Sequence, residues 1–190
     1  MQILQSKILF YFFALALLGA SSTVLAADAK GRMNFTTKSE KARAHFEQGL
    51  AKYDRARLKE ATALFQQSIE ADPNFAMAQL FRGLAGDSSS HIRKAAELAG
   101  NVTESERLLI LSWNAQLESQ TLKAVEYMEQ AVKALPQEAR LRVRLAQLYS
   151  ATGRRDDAVA ELKRAIDNDP KFAGSETKWK GHRVDEIELL

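Results

Sequence analysis

Apolar residues recur at helical spacing from about residue 40 to residue 168, and polar residues fill the positions between them. No alternating run of β-branched residues interrupts this pattern, so no strand is expected. Proline occurs three times, at Asp72-Pro73, Leu135-Pro136 and Asp169-Pro170. It lacks an amide hydrogen and disfavours helix in the residue before it, so each site marks a stop and a restart. The pattern predicts eight helices in four pairs: 40–54 with 58–71, 75–85 with 88–99, 104–118 with 121–134, and 138–152 with 155–168. Ala56-Arg57 and Gly153 stand where paired helices turn. Thr103 and Glu106 have the spacing of a capping box ahead of Leu108. Asp87 or Ser88 is the expected N-cap of the fourth helix.

Three ladders share one register inside these helices. They are Ala61, Phe65, Ser68, Pro73; Ala124, Met128, Ala131, Pro136; and Ala158, Leu162, Ala165, Pro170. Ala124 and Ala158 lie 34 residues apart, and Ala61 and Ala124 lie 63 apart. A 34-residue period with small residues at fixed positions predicts stacked helix pairs, in which no pair buries its apolar face alone. The second pair has only 29 residues and is degenerate. The expected fold is all-α, a right-handed superhelical solenoid of antiparallel helix pairs over residues 39–170.

Composition changes this picture mainly at the ends. Lys7, the apolar run Ile8–Gly19 and the small-residue stretch to Ala26 read as a signal peptide over residues 1–26, cleaved after Ala26. The apolar run of twelve is short beside the roughly 20 residues of a spanning helix. An uncleaved anchor is the rival reading. The chain has no Cys, which excludes disulfides, thiolate metal sites and a lipidated terminal Cys. The expected location is periplasmic or secreted. Without Lys7 the chain carries 26 Lys+Arg against 24 Asp+Glu, too even a balance to draw nucleic acid or anionic membrane. Arg140, Arg142, Arg144, Arg154 and Arg155 are read as a solvated face beside Asp156 and Asp157. Residues 27–38 are polar and patternless and are read as a mobile leader.

Residues 42–75 and 139–170 resemble tetratricopeptide repeats. Gly49, Tyr53, Ala61, Phe65, Asp72 and Pro73 carry the likeness in the first. Leu145, Ala146, Tyr149, Gly153, Ala158, Ala165, Asp169 and Pro170 carry it in the last. Residues 105–136 match in their second helix only, and 76–104 depart furthest. The resemblance implies a concave groove lined by the first helix of each pair. Carried over by position, that groove offers Arg43, Phe46, Leu50, Tyr53 and Asp54, then Met77, Leu80 and Leu84. It continues with Glu106, Leu109, Trp113, Gln116 and Leu117, and ends with Arg140, Val143, Gln147 and Ser150. Some members grip a peptide carboxylate here with Lys/Arg and Asn. Leu50, Trp113 and Gln147 stand where Asn would be needed, so that chemistry is not expected. The stripe, with Phe46, Tyr53 and Trp113, suits a protein or peptide partner. Aromatic residues at helical spacing are also common in cores, and that alternative stays open.

No catalytic constellation is visible. His45, His91 and His182 are far apart, and no metal-binding helix motif, phosphate loop or nucleophile elbow occurs. The expectation is no enzyme and no cofactor. The chain reads as an exported scaffold that binds a protein or peptide through its groove and serves assembly of an envelope complex. A self-associating repeat module without a separate ligand, a homo-oligomer, is the alternative. Residues 171–190 form a tail in which Val184, Ile187 and Leu190 could line a short helix capping the Val159, Leu162 and Ile166 side of the last pair.

Overall fold

A computed structural model describes residue 31 and residues 33–170. The signal segment and the tail, including the expected capping helix over 182–190, lie outside the described residues. Among the described residues the regular structure is eight α-helices and one short 3-10 turn: α1 Glu40–Tyr53, α2 Leu58–Ala71, α3 Ala76–Ala85, α4 Ser89–Leu98, the turn Ala99–Asn101, α5 Glu104–Leu117, α6 Thr121–Ala134, α7 Ala139–Ala151 and α8 Arg155–Asn168. Each helix packs on the next, pair by pair, as an all-α solenoid.

The ladders form the seams. Ala61, Phe65, Ser68, Ala124, Met128, Ala131 and Ala158 are fully buried, and Leu162 and Ala165 nearly so. Small side chains let the paired helices approach closely, and the large ones fill the space between pairs. Ser68 keeps its hydroxyl satisfied by donating to the Ala42 carbonyl at 2.8 Å, which ties α2 to α1. Gly49 allows the same closeness in α1. A Cβ there would stand 2.6 Å from the Phe65 ring.

The turn within each pair contains one residue in the left-handed region: Ala56 (φ 56°), Asp87 (φ 50°), Ser119 (φ 60°) and Gly153 (φ 81°). Only Gly153 adopts it without steric cost. Three of these tight turns are therefore held by the packing on either side. Caps follow the local sequence. Thr103 and Glu106 make the reciprocal capping box. Ser88 holds the N-cap position of α4, but its hydroxyl lies 3.0 Å from that of Ser90 instead of capping a backbone amide.

At one end of the stack six aromatic rings meet. Phe46 touches the rings of Phe35, Phe65, Phe75 and Phe81, with centroids 4.8–5.6 Å apart. Tyr53 joins through Phe65 and Phe81. No described helix is long and apolar enough to cross a membrane.

Candidate partner-binding face

The first helices of the pairs, α1, α3, α5 and α7, carry the expected groove residues, but much of that stripe is core. Phe46 is fully buried, as are Met77, Leu80 and Glu106, and Leu50, Leu109 and Val143 are buried too. The expectation that Phe46, Leu50, Leu109 and Val143 display themselves to a partner is corrected. Two features account for it. The aromatic cluster closes around Phe46, and an ion pair bridges the end of α1 to the start of α7. Asp54, just past α1, forms an ion pair with Arg140 in the first turn of α7. Burial pushes the Asp54 carboxyl above its usual range, against the pull of Arg140. This ion pair bridges the inner face there.

What remains accessible is narrower and more polar. Arg43, Tyr53, Asp54, Trp113, Gln116, Leu117, Arg140 and Ser150 are half-buried, and Gln147 is exposed. The centre is a residue expected on a solvated face. Arg144 is 5% exposed. Its guanidinium carbon lies 3.5 Å from the centre of the Trp113 ring. Its Nη2 donates to Gln116 Oε1 at 2.7 Å, while its Nε is buried without a hydrogen-bond partner. Burial pulls the guanidinium down to about 9, with nearby Tyr53 acting the other way. Arg144 therefore stays charged at neutral pH. No described carboxylate forms an ion pair with it. Arg142 also leaves the solvated face, pairing with the buried Glu161 at 2.6 Å. Arg154 is a surface pair-former in the expected sense, with Asp157 and Glu129.

The second feature that sequence reasoning missed is an arm. Residues 33–38 fall within the expected mobile leader, yet they lie extended across the solenoid. Their exposure alternates, with Met33 buried, Phe35 and Thr37 half-buried, and Asn34, Thr36 and Lys38 exposed. The Met33 amide donates to Glu138 at 3.0 Å, 105 residues away. The Thr36 amide and hydroxyl donate to the two carboxylate oxygens of Glu106, at 2.8 and 2.6 Å. The Thr37 hydroxyl donates to Asp72 at 2.6 Å. Phe35 packs edge-on against Phe46. The signal was present but weak: Met33, Phe35 and Thr37 alternate over too few residues to stand out. No group of three or more described His, Asp or Glu residues is placed to hold a metal.

The sequence matches the tetratricopeptide repeat family model over residues 115–175. No curated protein matches it. Among solved structures, TTC0263, a thermophilic TPR protein in Thermus thermophilus, is 18% identical, with 78% of this chain and 81% of that chain covered and a TM-score of 0.47. YrrB, a TPR protein with an unusual peptide-binding site, is 16% identical, with 70% and 72% covered and a TM-score of 0.39. MamA 41-end from Desulfovibrio magneticus RS-1 is 18% identical, with 80% and 94% covered and a TM-score of 0.39. Likenesses this distant add nothing to the reading of the face. Residues 115–175 are thus identified as tetratricopeptide repeat sequence, and they lie in an all-α stack of antiparallel helix pairs that carries the same small-residue ladder three times.

Proposed function

We propose that the chain is an exported scaffold that binds a segment of a partner protein on the inner face around Trp113 and Arg144, in service of an envelope complex. The observation that carries this reading is the Arg144 guanidinium. It is charged, buried, stacked on the half-buried Trp113 and without a described carboxylate. A buried charge left unpaired is costly to the fold. An acidic group on a partner would compensate it, while the Trp113 surface offers apolar and aromatic contact. Export rests on the signal-like segment from Lys7 to Ala26.

Two variants test the face. Arg144→Met keeps most of the stem and removes the charge, so its stability should equal or slightly exceed wild type. Trp113→Ala removes the platform. A partner recovered from periplasmic extract by wild type should be lost at least tenfold by both, with Arg144→Met still melting like wild type. Full recovery by Arg144→Met overturns the assignment of the face. Export is checked by intact mass of the periplasmic protein, which should begin at Ala27. Full-length chain in the membrane fraction contradicts it.

A further inference from the structure

Three carboxylates, Asp72, Glu106 and Glu138, stand along one edge of the solenoid, where α2 ends and where α5 and α7 begin. Together they receive two backbone amides and two hydroxyls from a stretch of five arm residues. Beside them the Phe35 ring packs edge-on against Phe46 of the aromatic cluster. This is a built track for extended polypeptide. It accepts main-chain N–H groups at the first and fourth positions, an aromatic ring at the third, and hydroxyls at the fourth and fifth. We propose that the track is an exchange site, in which residues 33–37 of a second copy of the chain take the place of the chain's own.

The occupant follows from what is seen to fit. The arm itself satisfies every acceptor of the track, and each further copy of the chain carries it. The carboxylates that hold the arm all belong to the solenoid, so the same bonds form whether the arm comes from the same chain or another. The intramolecular form is favoured by the tether, through an effective concentration on the order of millimolar for a short link, and by the bonds that Thr37 accepts from the Ser39 amide and the Arg43 guanidinium of its own chain. The link is short and lies outside the helix. Lys38 and the N-cap Ser39, which is in extended conformation, are all that separates Thr37 from α1. Swapping an identical element in this way needs rotation at that link, with release of the Ser39 amide from the Thr37 hydroxyl, and no new contact with the track.

Complementation between two full-length variants tests the exchange. Phe35→Ala with Thr36→Pro removes the ring and both donors to Glu106, and leaves the track intact with its own arm held only by Met33 and Thr37. Glu106→Gln with Glu138→Gln keeps a side-chain oxygen for each helix start, in the capping box of α5 and at the N-cap of α7, but weakens the grip on the arm. Each variant alone should be monomeric by light scattering. Mixed, they should form a one-to-one heterodimer that dissolves on adding excess synthetic peptide of residues 33–39. The same peptide, fluorescently labelled, should bind the first variant at least tenfold more tightly than wild type, whose track is filled. Helical circular dichroism and melting of both variants establish that they fold. A mixture of folded chains that stays monomeric overturns the proposal, and so does equal peptide affinity for wild type and the arm variant.

Discussion

Phe46→Ala will destabilise the protein by about 3–5 kcal/mol, the usual cost of emptying a buried phenylalanine site, and will lower Tm by about 10–20 °C. Phe46 is fully buried and touches four other rings, so neighbours cannot relax into the space without breaking their own contacts. Those rings come from the arm, α2, the α2–α3 turn and α3. The cavity therefore loosens three consecutive helices at once. Urea unfolding followed by circular dichroism gives the number. Leu122→Ala is the matched control, because Leu122 is 72% exposed and its loss should stay within about 0.5 kcal/mol. A loss under about 1 kcal/mol at Phe46 would show that the cluster is loose, and that a partner could reach the ring after all.

Glu106→Ala comes next, at about 2–4 kcal/mol, since each buried donor left unsatisfied costs roughly 1–3 kcal/mol. The fully buried Glu106 carboxylate accepts from the amides and hydroxyls of both Thr36 and Thr103. Alanine takes the acceptor from the Thr36 and Thr103 amides, removes the reciprocal cap of α5 and frees the arm. Glu106→Gln should cost about half as much, because an amide oxygen can still serve Thr103. Amide hydrogen exchange separates the two roles. In both variants residues 33–38 should exchange faster, and only in Glu106→Ala should the first turn of α5 follow. Equal losses from the two substitutions would show that the charge itself, and not the cap, holds this place together.

Features decided within one or two turns of chain were legible in the sequence. The Ala ladders, the three prolines, the Thr103–Glu106 box and the turn at Gly153 each depend on neighbours a few residues away. Helical periodicity also put each set of stripe residues on one face of its helix. It could not say whether that stripe faces water, because the answer depends on Asp54 meeting Arg140 and on Phe35 covering Phe46. Arg144 was misplaced for the same reason. Its charge suggested solvent, and only the approach of Trp113 and Gln116, about 30 residues earlier in the chain, draws it inside. The arm was hidden by its polarity. Threonine hydroxyls and backbone amides carry no periodic signature, and their carboxylate partners lie 35 to 105 residues away.

That last separation bears on how the chain folds. A repeat solenoid is close to one-dimensional, so it can begin to fold at any unit and fray from its ends. Here the opening segment and the final pair are joined through Met33 and Glu138, and again through Asp54 and Arg140. These contacts raise the contact order of an otherwise local topology, and their loop-closure entropy falls on the last step of assembly. Once they form, the terminal units no longer open independently. The ends of this solenoid are thereby drawn into the same cooperative unit as its middle.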